Sequence, residues 1–441
     1  MNETLGLSWD YDGWVVLAGM LCAVAASLPG NFLLLRRMSL LGDAISHAIL
    51  PGLAVAFFVS ESRSSWPMFL GAVVVGILTA FFTEWIRNFG DVDEGASMGV
   101  VFTTLFAIGL VLIVQAADHV DLDPGCVLYG AIEMTPYDVI RVAGAEIPRV
   151  VVVLGVVTIV NLVFVLLFYK ELKLSAFDPA LSTSVGFNAR FMHYLLMVIV
   201  AVTAVASFES VGNILVVAMF VVPPATAYLL TERLSMMIFL SAVIAMLSAQ
   251  LGHLSAVIVP HAFGFRSTST SGMMALCAGL LFFVVSLVSP RNGVIVRIAR
   301  RQKLALRILS EDLLALLYRM DERSPGCTVS AAKLSSVLLT RPWLASWLMH
   351  RHVRTGHLIQ AESGYHLTDA GRRLGAVLVR SHRLWEQYLV AEGGVAMDRI
   401  HGQAEKLEHF TNRELRDRLD EVTAAPSTDP HGSRIPSERA T

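Results

Sequence analysis

The sequence predicts an all-α polytopic membrane protein of about nine transmembrane helices, followed by a small cytoplasmic domain that is mainly helical. Two observations support this fold class. Hydrophobic residues make up 55% of the 441 residues and charged residues only 16%, which is too apolar a balance for a soluble protein of this length. Apolar runs of membrane-spanning length fill residues 14–290, whereas the remaining sequence is polar with amphipathic helical periodicity.

The membrane-spanning part is predicted from the length of its apolar runs, each bounded by polar loops. The loops that carry most of the Lys and Arg alternate with loops that carry few, and the basic linker after the last run falls on the basic side. By the positive-inside rule the N-terminus is outside and the C-terminus is cytoplasmic. The predicted spans are 14–35, 43–60, 66–86, 95–117, 149–169, 191–208, 211–230, 234–259 and 270–289.

Composition also excludes several classes of protein. The net charge of −2 gives no overall basic signal for nucleic acid. The four cysteines are scattered without a CxxC pair, which argues against a disulfide framework or a zinc knuckle. The N-terminus "MNETLGLSWDYDGW" lacks a basic region and is not expected to be a cleavable signal peptide. The sequence shows no nucleophile–base constellation, which argues against an enzyme.

The stretch "GDAISHAILPG" places two ionisable residues inside an apolar run. Asp43 and His47 are four residues apart and therefore share one helix face. A carboxylate and an imidazole are suitable ligands for a divalent transition metal, and intramembrane ionisable residues usually mark a transport pathway. An equally open alternative is a helix start at the membrane edge, with Asp43 as N-cap and His47 among the headgroups.

The C-terminal region begins with a basic juxtamembrane linker, residues 291–309, and then changes character. A helix is predicted from "SEDLLALLYRM", with its polar start and its apolar spacing. The segment "SAAKLSSVLLTRPWLASWLMHRHVRTG" predicts helix, turn and helix, and "HLIQAESGYHLT" predicts a short hairpin. Two more amphipathic helices follow, and the Pro/Ser-rich tail, 426–441, is expected to be flexible.

Two of these C-terminal helices carry acidic and histidine residues at helical spacing, which is the pattern of an oxygen- and nitrogen-rich site suited to Mn²⁺ or Fe²⁺. The alternative is a solvated charged face, which spacing alone slightly favours. The residues concerned are His382, Glu386, His401, Glu405, Glu408 and His409.

Residues 12–290 resemble the membrane subunits of ABC importers for manganese, zinc and iron. The resemblance rests on "LLRRMSLLGDAISHAILPGLAVAFF", "HVDLDPGCVLYGAIEMTPYD" and "SVGNILVVAMFVVPPATAYLLTERL". It implies that Asp43 and His47 line the metal path. It also implies that "PPATAYLLTERL", with Pro223, Pro224, Ala225 and Thr226, contacts an ATPase, although a Pro-interrupted helix end is the simpler interpretation. An acidic run in the second motif could attract cations at the outer mouth, or be a solvated loop: Asp118, His119, Asp121 and Asp123.

The same resemblance implies the partners of such a permease. The chain has no Walker A signature, so ATP hydrolysis is expected from a separate ABC ATPase subunit. An extracytoplasmic metal-binding protein would deliver the ion, and a second permease subunit, identical or related, would complete the pathway. The expected location is the bacterial inner membrane, with the chain in contact with lipid.

Residues 310–436 resemble the metal-dependent regulators of the diphtheria-toxin-repressor class through "GYHLTDAGRRL", "SHRLWEQYLV", "HGQAEKLEH" and "DPHGSRIP". The resemblance implies a winged-helix domain at 310–375 and a metal-binding and dimerisation domain at 376–425. The activating site would comprise Asp312, Glu405, Glu408 and His409. The neighbouring site would comprise His382, Glu386 and His401, with His382 serving the activating pair in manganese-specific members.

Two departures from that class affect function. Ala315 stands where the manganese members of the class have a second acidic residue. Glu405 occupies a position that is cysteine in some iron members and acidic in manganese members, and a carboxylate there favours a hard ion. The predicted recognition helix begins with tryptophans rather than with small polar or basic residues, which suggests a protein contact in place of DNA reading. Residues left for phosphate or partner contact are Arg341, Trp343, Trp347, His350, Arg351, His352 and Arg354.

The sequence therefore predicts the permease subunit of an ABC importer that moves manganese, or alternatively iron or zinc, into the cytoplasm, with a fused metal-sensing domain. Mn²⁺, or Fe²⁺ or Zn²⁺, would be both the cargo and the regulatory ligand. The alternative function is a membrane-tethered, metal-dependent DNA-binding transcriptional regulator.

Overall fold

The computed structural model describes residues 9–60, 65–116, 132–142, 145–262, 264, 268–362 and 364–437. The chain divides into two compact units, Met1–Arg297 and Ile298–Thr441. The acidic run predicted for the outer mouth, Asp118 to Asp123, lies outside the described residues.

The first unit is a bundle of long apolar helices. Among the described residues, nine segments are long and apolar enough to cross a membrane, which matches the predicted number, and α2 and α3 together make one of them. The helices are α1 (Trp9–Leu35), α2 (Leu41–Ala48), α3 (Leu50–Ser60), α4 (Ser65–Gly90), α5 (Glu94–Ala116), α6 (Arg149–Leu167), α7 (Tyr169–Phe177), α8 (Pro179–Ser184), α9 (Ala189–Val211), α10 (Asn213–Leu230), α11 (Leu234–Ala262) and α12 (Thr270–Val288).

Helix α1 forms the centre of this bundle and packs against α6, α10 and α11. Its buried face is rich in small residues, including Ala18, Ala23 and Ala26, which let neighbouring backbones approach closely where apolar burial gives little driving force. Side-chain amides link the spans. Asn31 Nδ2 donates to Ser241 Oγ at 2.7 Å, and these bonds leave fewer polar groups unpaired in an apolar environment.

A short antiparallel hairpin precedes α6, where sequence analysis assigned no element. Strand β1 (Val139–Val142) pairs with β2 (Ala145–Pro148), and Arg141 NH2 lies 3.0 Å from Glu146 Oε1 across the strands. Strands of four residues are too short to show a clear alternating pattern in the sequence, which explains why the hairpin was missed.

The second unit contains a helix–turn–helix and a β-hairpin, followed by helices, and this confirms the predicted winged helix. Its elements are α13 (Val294–Arg323), which begins at the end of the first unit, α14 (Ala331–Val337), α15 (Pro342–Arg354), β3 (Leu358–Ala361), β4 (Gly364–Leu367), α16 (Asp369–Ala391), α17 (Ile400–Glu408) and α18 (Arg413–Val422). Leucines of α13 are buried against α15 and the hairpin in its core.

Two predicted boundaries differ from the structure. The basic linker 291–309 is helical from Val294 onward and continuous with the first helix of the domain, because nothing in it interrupts helical propensity. Helix α16 runs through the boundary predicted at 375/376.

The tail from 426 to 437 is ordered, against the prediction of a flexible segment. Ile435 is buried with Leu384 and Leu419, and the Arg383 guanidinium of α16 pairs with Asp429. A few well-placed contacts outweigh the Pro/Ser-rich composition here, so composition alone predicted disorder wrongly.

Candidate metal sites

The first candidate site is the pair Asp43–His47 on α2. His47 Nε2 lies 3.4 Å from Asp43 Oδ1 across one helical turn, and their side chains are 40% and 35% exposed for Asp43 and His47, respectively. The other described residues of α2 are almost all buried, so these two side chains form its accessible polar face. The His47 ring also lies near Phe102 and Phe106 of α5.

This arrangement provides two ligand atoms, one oxygen and one nitrogen, and leaves the remaining coordination positions open. Charged groups exposed on an apolar span are costly unless they face a water-filled path or another subunit. The pair is therefore suited to contact a cation transiently as it passes, rather than to enclose it.

The predicted ATPase-contacting residues lie inside helix α10. Pro223, Pro224 and Thr226 are buried within the first unit, and Thr226 Oγ1 donates to Val222 O at 2.7 Å in the same helix. Buried side chains cannot contact a soluble partner, so this placement argues against the predicted contact. Ala225 is partly buried beside them.

A different surface is accessible on the short helices between α6 and α9, a segment that the positive-inside rule predicts to be cytoplasmic. Helices α7 and α8 and the residue after α8 expose Phe177, Leu181 and Val185. Next to them is a cavity of about 950 Å³ lined by the ends of α1, α4 and α9. There Arg36 bonds to His193 Nδ1 and to Ser175 Oγ, at 2.8 and 2.7 Å.

The second unit holds a group of three ligand-type residues, here called the His382 cluster: His382 and Glu386 on α16, and His401 on α17. The i, i+4 spacing brings His382 Nε2 to 3.1 Å from Glu386 Oε1. His401 Nδ1 lies 2.6 Å from that same oxygen. His431, from the ordered tail, approaches Glu386 Oε1 at 3.9 Å and was not anticipated by the sequence analysis.

A second group, the His409 cluster, comprises Asp312 of α13 with Glu408 and His409 at the end of α17. His409 Nε2 lies 3.0 Å from Asp312 Oδ1 and 3.5 Å from Glu408 Oε1. Its other nitrogen, Nδ1, lies 2.9 Å from Glu311 Oε2. Glu311 was not predicted, although it stands directly before Asp312 in the sequence.

Glu408 joins the two clusters. Its Oε1 approaches His409, whereas its Oε2 lies 2.6 Å from His382 Nδ1. Glu405 is exposed and belongs to neither of the groups found among the described residues, in contrast to its predicted role in the activating site. The geometry therefore resembles two adjacent sites that share one carboxylate.

The cluster residues perturb one another's protonation. Burial opposes charge on His409, but the carboxylates of Asp312 and Glu311 outweigh it and raise the pKa of His409 to about 9. Burial is likewise outweighed at His382, where bonds with Glu386 and Glu408 raise the pKa. The pKa of Glu386 falls to about 2 because the two histidines oppose its desolvation.

The donor atoms fit a divalent metal ion. In each cluster one ligand atom per residue lies within 4.8 Å of the others. Among the described residues, the buried His409 Nε2 has no partner in hydrogen-bonding geometry, although Asp312 Oδ1 lies 3.0 Å away, so a bound ion would use a donor atom that no hydrogen bond occupies. Oxygen and imidazole nitrogen without sulfur favour ions such as Mn²⁺, Fe²⁺ or Zn²⁺.

The helix–turn–helix presents an unusual outer surface. Trp343 and Trp347 of α15 are exposed as predicted, and the guanidinium of Arg351 lies 5.7 Å from the centroid of the Trp347 ring. Arg341, His350 and Arg354 are also exposed. His352 was predicted to meet phosphates, but it is buried and its Nε2 lies 2.8 Å from Ser310 Oγ.

Comparisons with known proteins agree with both units. Residues 9–289 match the model of the ABC 3 transport family, and residues 368–437 match the model of the iron dependent repressor, metal binding and dimerisation domain. The manganese transport system membrane protein MntD of Bacillus subtilis is 41% identical over 65% of this chain and 95% of its own length. The zinc transport system membrane protein TroD of Treponema pallidum is 37% identical over 77% and 93%.

A solved structure, PsaBC from Streptococcus pneumoniae in complex with Fab, aligns with a TM-score of 0.51 and 28% identity over 64% of this chain and 92% of that one. The chain carries a metal-binding domain of the repressor type at its C-terminal end. The model of the ABC 3 transport family covers more than half of the sequence, and the chain belongs to that family.

Proposed function

We propose that the protein is the permease subunit of an ABC importer that carries manganese into the cytoplasm, regulated by its own metal-sensing domain. The observation that supports this most directly is the accessible Asp43–His47 pair on an otherwise apolar helix. Manganese is the proposed cargo because most of the curated relatives carry it in their names, as in MntD and ScaB. Zinc is the alternative, since it appears in the name of TroD.

The Asp43–His47 pair would act as a stepping site for the ion. Two ligands from one chain leave room for water or for the same pair in a second permease subunit. Partial coordination favours passage, because an ion that is to be released must be bound weakly.

Besides the second permease subunit, two partners follow from this role. A separate ATPase would supply the energy, and helices α7 and α8 are the proposed docking surface because they combine exposed apolar side chains with the basic end of the bundle. An extracytoplasmic metal-binding protein would deliver the ion on the opposite side. We place the N-terminus outside and the second unit in the cytoplasm of a bacterium.

The two clusters of the second unit would sense the imported ion. An ion bound there supplies positive charge that the surrounding carboxylates compensate. Glu408 and His409 of α17, with Asp312 of α13 and His382 of α16, hold three helices around it. Ordering these helices couples metal occupancy to the conformation of the unit. Metal binding then regulates transport to the extent that the two transporter states differ in their affinity for the metal.

The feedback experiment uses the double variant Glu408→Gln with His409→Ala in the full chain. Initial uptake of radioactive Mn²⁺ should be unchanged, whereas its decline as internal Mn²⁺ accumulates should disappear. Glu405→Gln is the matched control, because it neutralises an exposed acid on the same helix and should retain the decline. A double variant that declines like the wild type would exclude sensing through this cluster.

A second candidate function is a membrane-tethered transcriptional regulator, favoured by the helix–turn–helix and by the absence of acidic residues between 324 and 361. It requires sequence-specific DNA binding by the full chain that depends on Mn²⁺ and persists at physiological salt. Retarded migration of one promoter fragment, but not of a scrambled fragment, would support this function.

A further inference from the structure

One surface of the winged helix plays no part in either metal cluster or in the transport path. It consists of Leu339 in the turn between α14 and α15, Trp343 and Trp347 on α15, and the basic residues Arg341, Arg351 and Arg354. We refer to these six residues as the α15 face. Clustered apolar residues of this size on a surface mark an interaction site.

The apolar part of the α15 face is highly exposed. The exposed fractions are 93% for Leu339, 64% for Trp343 and 47% for Trp347. Leu339 also has a φ of +50°, a left-handed conformation that costs a branched side chain more than it costs glycine. An apolar side chain held outward in an unfavourable backbone conformation is consistent with a function on the outside of the fold.

The basic part lies on the same surface. Residues 324–361 contain four Lys or Arg and no Asp or Glu, so the helix–turn–helix is positive without local compensation. Arg351 stacks near the Trp347 ring, which places a cation directly beside the apolar patch. The partner of this surface must therefore offer negative charge and an apolar layer side by side.

The chain tethers the second unit to its membrane-spanning segments. The last span ends at Val288, and α13, the first helix that leads into the second unit, begins at Val294. Such a tether raises the effective concentration of the lipid surface around the whole domain, so that weak contacts suffice for binding.

We propose that the α15 face docks on the anionic phospholipid surface. Trp343, Trp347 and Leu339 would enter the boundary between headgroups and acyl chains, and the arginines would contact lipid phosphates, as in interfacial helices. DNA offers the phosphates but not the apolar layer, and the tryptophans occupy the helix start that reads bases in this motif. The interaction is independent of the proposed transport function.

The test places the full-length protein in nanodiscs made with bromine-labelled acyl chains, which quench nearby tryptophan. Emission of the variant Trp343→Ala with Trp347→Ala is subtracted from that of the wild type, which isolates these two of the seven tryptophans. In nanodiscs containing phosphatidylglycerol, most of this difference emission should be lost relative to unbrominated discs. With phosphatidylcholine alone, or with Arg341→Glu and Arg354→Glu, the quenching should be much weaker.

Trp385 provides the matched control, because it lies in the same unit but is half-buried and its Nε1 donates to Thr411 Oγ1. The emission isolated with Trp385→Phe should not respond to bromine. The proposal is overturned if the emission of Trp343 and Trp347 is unquenched in phosphatidylglycerol. It is equally overturned if only added duplex DNA, or only self-association of the protein, changes that emission.

Discussion

The proposed metal-binding residues of the two units differ in number and in burial. In the first unit, Asp43 and His47 are accessible on one helix turn, and no third ligand-type residue joins them among the described residues. In the second unit, buried carboxylates and imidazoles from three helices already neutralise one another within hydrogen-bonding distance. A path must release its ion, whereas a sensor must hold it long enough to change shape. The same ligand types can serve both purposes, and the number of ligands and their burial distinguish them.

The largest effect is expected from substitutions in the Asp43–His47 pair. Asp43→Asn or His47→Ala should reduce Mn²⁺ uptake to background while the protein remains inserted, because a two-residue site has no redundancy. Uptake of radioactive Mn²⁺ into cells or vesicles measures it. Glu146→Gln, an exposed acid on the hairpin outside the spans, is the control and should transport normally. Normal transport by either pair variant would remove the pair from the path.

The next largest effect is expected from the two clusters of the second unit. Mn²⁺ should stabilise the second unit by about 2.7 kcal/mol at a hundredfold excess over its dissociation constant, because only the folded unit brings the ligands together. Thermal unfolding of the full-length protein with and without Mn²⁺ measures this gain. Glu408→Gln should remove most of it, since Glu408 serves both clusters. An undiminished gain in that variant would place the binding elsewhere.

A smaller effect follows from protonation. The pKa of His409, raised to about 9, means that Mn²⁺ must displace a proton at neutral pH. Apparent affinity should rise by up to about tenfold per pH unit for each proton released between pH 6.5 and 9. Without metal the sign reverses, because stability from protonated His409 is complete below its unfolded pKa and lost as pH rises through 9.

Titrations with Mn²⁺ at three pH values, together with unfolding of the metal-free protein at the same values, would show both slopes. His409→Gln should flatten both of them. Opposite slopes in the wild type and shallower ones in the variant, where His382 still titrates, are the expected result, and a wild-type affinity independent of pH would contradict it.

The smallest effect concerns the link between a metal cluster and the winged helix. Ser310→Ala should destabilise the second unit by about 1 kcal/mol, since it leaves buried His352 Nε2 without its partner. Hydrogen exchange of α15 amides in the full chain measures this loss. Ser336→Ala is the control, because its hydroxyl is exposed and bonds only within its own helix. Equal exchange in both variants would show that the contact contributes nothing.

The sequence predicted the spans well because bilayer thickness imposes a length that few other structures require. Spacing placed His382 and Glu386 on one helix face, and the resemblance to the repressor class grouped them with His401 of another helix. Distant contacts were less predictable. His431 comes from a segment whose composition indicated disorder, and the Arg383–Asp429 pair that helps to hold it could not be inferred from spacing.

Glu405 and Glu311 show a further limit. Helical spacing places Glu405 near His401 and His409. Helix α17 buries Ala404 and Glu408, however, and Glu405 is turned about 100° away from Ala404, the residue before it. Glu311 neighbours the predicted Asp312 and nevertheless contacts the same histidine from the other side. Which of two adjacent acids is the ligand depends on the rotation of a helix in its tertiary setting.

Helix α15 has two faces with separate duties, and this separation bears on how the protein could evolve. His352 on the inner face contacts Ser310, which directly precedes Glu311 and Asp312 in α13, whereas Trp343 and Trp347 stand on the outer face. Mutations on the outer face can therefore exchange one partner for another without disturbing the ion-responsive interior. A regulator domain built in this way can acquire a new partner in another cellular role and still keep its response to metal ions.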